Sequence, residues 1–238
     1  MGLIEGLAGL QKLTEPFESS GDGEKTTWLK VDDGKSVQIY FLQELDRSSP
    51  RYSEKNGLAV AAGEHVLPGP GDNYRTKAVC SMKEEDACYG CEQYRLDYTN
   101  PDLTTKQEKG RWRAKSRLYI NVLVKPSDGS EPYVAVMSQG FGDKAVGNDI
   151  ISAATTNGAI TDRSWTLKRK GLGRDTSWDL TPSFKEDPDF DPEAYEVYDL
   201  KRVAVREVPY AEQADFFNRV GYESTSNAPS SPTTVEWV

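Results

Sequence analysis

Residues 111–129 read RWRAKSRLYINVLVKPSDG, and the alternation inside them decides the fold class. Leu118, Ile120, Val122 and Val124 fall on one side of an extended chain, and Arg111, Arg113, Lys115, Arg117, Tyr119 and Asn121 fall on the other. Successive side chains of a strand point to opposite faces, so a period of two marks a strand with one face in a core. The apolar side continues back through Trp112. The Ser-Asp-Gly stretch at 127–129 reads as a turn, and PYVAVMSQGF (132–141) as the hairpin partner.

Working outward, TTWLKVDDGKSVQIYFLQEL (26–45) has the pattern of a second hairpin: Trp28 to Val31, a turn at Asp33-Gly34, then Val37, Ile39 and Phe41 on one side. DKAVGNDIISAATTNG (143–158) predicts a helix that packs Ile150, Ile151 and Ala154 and stops at Gly158. SWTLKRKGLGRDTSWDLTP (164–182) reads as two short strands around Gly171 and Gly173. The expected class is therefore mainly β with some helix (α+β): about five strands and one intervening helix, over residues 25–182, suit a partly open barrel of the oligonucleotide-binding (OB) kind. A β-sandwich is the alternative.

Between Asp46 and Gly110 the periodicity vanishes, which marks an insert, and this insert holds the only histidine and all three cysteines. His65, Cys80, Cys88 and Cys91 are separated by fourteen, seven and two residues. Zinc favours thiolate and imidazole in a tetrahedron, and a CxxC turn offers two sulfurs to adjacent corners, with Gly90 freeing the backbone between them. The expectation is one structural zinc ion in a closed four-ligand site. A catalytic deaminase site would need HxE and PCxxC, whereas Val66-Leu67 follows His65 and Ala87 precedes Cys88. With its one histidine assigned to metal, the chain has no spare imidazole for Ser/His/Asp or nuclease chemistry. No enzyme is expected.

At 238 residues, with 37% hydrophobic and 28% charged side chains, the chain reads as a globular protein with a polar surface. No apolar run reaches membrane-spanning length, and the opening MGLIEGLAGLQKL lacks a signal-peptide pattern, so a cytoplasmic protein without a membrane partner is expected. Within segment 1–24, Leu3, Ile4, Leu7 and Leu10 share a helical face suited to docking on the domain or on a neighbouring copy. Segment 183–238 carries seven acids from Glu186 to Asp199, which read either as a solvated linker or as a polyanion mimic that competes for a basic groove or recruits basic partner proteins, then a short helix around YAEQADFFNRVGY, then a Ser/Thr/Pro-rich tail expected to be disordered.

The net charge of −9 argues at first against a polyanionic partner, but it is unevenly spread: residues 111–174 are net +6 and residues 175–238 net −9. Arg111, Arg113, Lys115 and Arg117 with Tyr119 form a stripe able to follow a phosphate backbone while the ring stacks on a base. Lys168, Arg169, Lys170 and Arg174 with Trp178 form a second cluster. Inside the insert, Tyr74, Arg75, Lys77, Tyr89, Tyr94, Arg95 and Tyr98 add rings and cations. Aromatics interleaved with cations suit single strands, and no basic recognition helix for a duplex is visible. A zinc-stabilised adaptor that recruits proteins through its acidic tail is the competing reading, and a zinc hydrolase or deaminase ranks below it.

The ligand order His65, Cys80, Cys88, Cys91, the DDGKSVQIYFLQ stretch before the insert and RAKSRLYINVLVKPSDG after it resemble the single-stranded DNA-binding (helix-destabilising) proteins of T-even-like bacteriophages. The resemblance covers residues 25 to 182. It implies an OB fold with an inserted zinc subdomain (46–110), single-stranded DNA as partner in replication, recombination and repair, and an acidic C-terminal region that recruits replication and recombination proteins. It places the protein in an infected bacterial cell. The N-terminal start lacks the basic element through which that family self-associates along DNA, so any self-contact would fall to Leu3, Leu7 and Leu10.

Overall fold

The computed structural model describes residues 26–68 and 75–219. The N-terminal leucines, Tyr74 and the C-terminal tail lie outside the described residues.

Seven strands form one open antiparallel sheet: β1 (Ser36–Phe41), β2 (Val60–Pro68), β3 (Arg75–Val79), β4 (Lys115–Lys125), β5 (Tyr133–Gly140), β6 (Ser164–Lys170) and β7 (Ser177–Pro182). Among the described residues five α-helices accompany them: α1 (Tyr89–Thr99), α2 (Lys106–Lys109), α3 (Gly147–Asn157), α4 (Leu200–Val203) and α5 (Tyr210–Arg219). The strand order is β3-β2-β4-β1-β6-β7, with β5 on the other edge of β4. The eleven residues of β4 make it the hub. Its first half pairs with β2 (Leu118 opposite Ala61), its second half with β1 (Val122 opposite Phe41), and β5 runs along nearly all of it. Trp178 N–H donates to Lys144 C=O at 3.1 Å, a single bond from β7 to the chain just beyond β5.

The alternation in β4 has the predicted consequence on one side. Leu118, Ile120, Val122 and Val124 enter the main core with Ile39, Phe41, Met137, Trp165 and Leu167, and α3 covers it through Ile150. Gly158, at φ +75°, ends α3 where the sequence places a stop. Ile151, expected to pack, is 44% exposed.

Three expectations are corrected. Residues 28–31 form no hairpin with β1. The turn at Asp32–Lys35 is present, but Trp28 bridges in parallel to Val136 on β5, because the β1 edge is already taken by β6. The insert is not aperiodic: β2 and β3 are a hairpin that extends the main sheet, so strands number seven rather than five. The acidic segment is not a loose linker. Residues 187–205 cross the outer face of β1, β4 and β5 as a strap, burying Phe190 against Tyr40 and Leu123, then Leu200 and Ala204 against Tyr119 and Val136.

The strap is held by polar anchors as well as by packing. Asn121 Nδ2 donates to Tyr198 C=O at 2.9 Å and Asn121 Oδ1 accepts from Tyr198 N–H at 3.2 Å, so one side-chain amide pairs with the strap as a neighbouring strand would. Asn56 Nδ2 donates to Pro192 C=O, Arg51 to Phe190 C=O, and Tyr40 O–H to Asp187. The backbone and apolar side chains face the sheet. Glu186, Asp189, Asp191, Glu193, Glu196 and Asp199 face out.

Candidate metal centre and cationic surface

His65 lies on β2, Cys80 directly follows β3, Cys88 is the residue before α1, and Cys91 sits in the first turn of that helix. The hairpin and the helix start thus converge on one point, where the four ligand atoms all lie within 4.8 Å of one another. Cys80 Sγ is 3.5 Å from Cys91 Sγ, and His65 Nε2 is 3.3 Å from Cys88 Sγ and 3.6 Å from Cys91 Sγ. These four residues could hold one metal ion.

The surroundings fit that use. His65 Nδ1 lies 2.6 Å from Trp112 C=O, to which it donates as Nδ1–H, and this leaves the Nε2 lone pair facing the sulfurs. A Cβ on Gly90 would come within 2.4 Å of the His65 ring, so only glycine lets the helix start close over the imidazole. Burial lowers the pKa of His65 and keeps the ring neutral. Burial, reinforced by the neighbouring sulfurs, pushes the Cys91 thiol up to about 12, and burial likewise raises Cys80. Left to themselves these thiols stay protonated at neutral pH, and a cation supplies the charge that makes them thiolates.

Behind the ligands stands α5, which the sequence marks as a helix without showing where it docks. Gln213 is buried: its Nε2 donates to Ser81 Oγ (2.8 Å) and Val208 C=O (2.9 Å), while its Oε1 accepts from Tyr89 N–H (2.9 Å). Ser81 and Tyr89 are each next to a ligand, so one amide braces both ends of the cysteine loop. Phe217 packs on Trp112 and Tyr89, and Tyr210 O–H donates to Glu92 at 2.6 Å.

The residues expected to meet nucleic acid are scattered more widely than the strand pattern implies. Tyr119, expected to stack on a base, is 0% exposed beneath the strap. Its O–H donates to the buried Glu64 carboxylate at 2.7 Å, and Lys77 Nζ donates to the phenol oxygen at 2.7 Å and to Glu64 at 3.2 Å. Burial, then the Glu64 carboxylate, raises the Tyr119 pKa, so the phenol remains a donor. Arg111 precedes β4 and forms a two-pronged pair with Asp97 of α1. Trp112 precedes β4 and packs with Ala78, Tyr89 and Phe217 beside the candidate metal site, not in the strand. Tyr89 is half-buried between Trp112 and Phe217, and Tyr94 is half-buried beside the exposed Tyr98.

Lys168, Arg169 and Lys170 separate onto two faces of β6. Arg169 shares the inward face with Leu167, donates to Val31 C=O at 2.9 Å and lies over the half-buried Trp178, whereas Lys170 pairs with Asp179. Arg113, Lys115 and Lys168 are exposed, Arg117 is half-buried, and none of the four makes an ion pair among the described residues. An aromatic left off the expected set is Trp28, which is 36% exposed on the outer face beside Tyr119. Its parallel bridge to β5 puts it there, and no local pattern announces such a bridge.

No protein-family model matches the chain, and no curated protein matches it either. Among the described residues no helix is long and apolar enough to cross a membrane.

Proposed function

We propose that this protein is a non-catalytic binder of single-stranded DNA, which coats transient single strands during replication, recombination and repair. The observation that carries the reading is topological. Leaving aside β2 and β3, the strands run β5-β4-β1-β6-β7, with α3 between the third and fourth in sequence. That is the strand order of an OB barrel, a fold that binds oligonucleotides on the face of its second and third strands, here β4 and β5, of which the strap leaves uncovered the end that carries Lys115 and Arg117. The metal lobe is inserted between the first and second strands of that barrel, and Arg113, Lys115 and Arg117 lead from the lobe onto β4.

Zinc is the ion that suits the donor set, because one imidazole and three thiolates make a closed structural site with no open position for catalysis. A tetrahedron with Zn–S near 2.3 Å has sulfur–sulfur edges of about 3.8 Å, and Cys80 and Cys91 already stand at 3.5 Å. The exposed carboxylates of the strap suit a docking surface for basic replication or recombination proteins, and the resemblance to phage proteins supports a place in the cytoplasm of an infected bacterium.

A fluorescence titration with poly-dT at several salt concentrations, on metal-loaded and chelator-treated protein, tests the reading. Poly-dT outcompetes duplex, and log K falls by about 0.7 per log unit of salt for each phosphate neutralised. Arg113→Ala with Lys115→Ala makes that slope shallower by roughly 1 to 1.5, and chelation weakens binding by loosening the lobe. Metal-loaded protein that binds no single strand at low ionic strength sinks the proposal.

A further inference from the structure

We propose that Trp28 is the platform on which an unpaired base of single-stranded DNA stacks, with Arg117 on the same outer face to receive a phosphate further along. This inference rests on the single-strand reading above and assigns a particular subsite to it.

The grip on Trp28 comes from its neighbours in the chain. Leu29 N–H donates to Val136 C=O at 2.9 Å, and Val136 N–H donates to Thr27 C=O at 2.8 Å, so the backbone on either side is fixed to the outer edge of β5. Thr27 N–H is held in turn by the Tyr198 hydroxyl at 3.2 Å. The indole meets the Tyr119 ring nearly at right angles (75°, centroids 6.2 Å apart). An aromatic held this way is pre-set for stacking, with little freedom to lose when a base arrives.

Charge around the ring selects the occupant. Lys77 Nζ is 6.0 Å from the Trp28 centroid and 4.6 Å from that of Tyr119, but its donors are committed to Glu64, Tyr119 and Ala204 C=O. It braces the site without reaching for a ligand. Arg117 shares the outward face of β4 with Tyr119, reaches Ser138 Oγ at 3.4 Å, and forms no ion pair with a carboxylate among the described residues. Lys115 follows on the same face, about 7 Å further along the strand. Glu64, the carboxylate of this neighbourhood, is buried and paired with Lys77. A flat ring on the same outer face as Arg117, with Tyr119 between them, matches a base and a phosphate further along the strand. Stacked duplex bases show no free face to it.

Trp28→Ala and Trp28→Phe, checked by thermal melting and metal content, test this with oligo-dT and with an abasic oligonucleotide of equal length. Stacking contributions of about 1 to 3 kcal/mol per base translate into an expected loss of roughly five- to 150-fold for Trp28→Ala on oligo-dT. The salt slope stays unchanged, Trp28→Phe recovers most of the affinity, and the abasic strand binds wild type and Trp28→Ala alike. Trp112 and Trp165 are only 7% and 2% exposed, whereas Trp178 is half-buried on β7 and Trp237 lies outside the described residues, so emission is read in a Trp178→Phe, Trp237→Phe background, where most of the change on oligo-dT binding is lost when Trp28→Phe is added. Equal oligo-dT affinity in wild type and Trp28→Ala overturns the platform while leaving single-strand binding intact. If Trp28→Ala fails to fold, an undiminished emission change in Trp28→Phe overturns it instead. A wild type that binds no single strand removes the reading beneath it.

Discussion

Asn121 occupies the polar side of an alternating strand, yet it is completely buried and so is Tyr119 beside it. Each survives burial because every polar atom is answered. Gln43 Oε1 accepts from both Asn121 N–H and Nδ2, Tyr198 takes the rest of the amide, and Glu64 and Lys77 satisfy the phenol. Asn121→Ala leaves Tyr198 N–H and C=O unpaired under the strap and opens a void. We expect a loss of about 2–4 kcal/mol in urea unfolding; a change near zero would mean that water replaces the amide. Alternation correctly separated the two faces of β4, but it says nothing about what covers the second. The covering residues lie some 80 positions downstream, and their acids disguise apolar residues that all face one way.

At the scale of elements, helix α5 and the cysteine loop are one structural unit. Gln213 bonds on both sides of that loop, so the metal lobe extends well past the insert that the cysteines mark. Gln213→Ala removes three buried hydrogen bonds and is expected to destabilise the lobe by about 2–4 kcal/mol. Because bracing groups behind metal ligands commonly set affinity, competition with a chromophoric chelator should show metal binding roughly 10- to 100-fold weaker. An unchanged chelator midpoint would confine Gln213 to packing. That His65, Cys80, Cys88 and Cys91 come together was readable, since residue type and spacing carry the chemistry. The β2–β3 hairpin that carries His65 was not, because Gly63, His65 and Pro68 break any simple alternation. For α5, a helix is expected around YAEQADFFNRVGY, but nothing local says where it docks.

Over the whole molecule, the positive middle of the chain is partly neutralised by folding. Asp97, Asp175 and Asp179 take up Arg111, Lys144 and Lys170, and Asp162 with Glu186 takes up Arg163, so the cationic surface narrows to a few side chains near β4 and β6. The charge count along the sequence overstated the free positive charge, because Asp97, Asp175, Asp179 and Glu186 lie outside the counted segment. The strap also makes residues 183–205 part of the fold, not an appendage. A chain ended after Pro182 would expose Tyr40, Leu123, Tyr119 and Val136, and size-exclusion chromatography is expected to find it aggregated and dye-binding. A monodisperse, cooperatively melting fragment would show that the sheet stands without its cover.

That dependence has a cost in time. Val136 leaves the ribosome 68 residues ahead of Ala204, the side chain that will shelter it. Translation adds about 5–20 residues per second, so the nascent sheet carries a naked apolar flank for on the order of ten seconds. Throughout that interval the half-made protein is a natural client for chaperones, and the speed with which its last quarter is synthesised bears directly on yield.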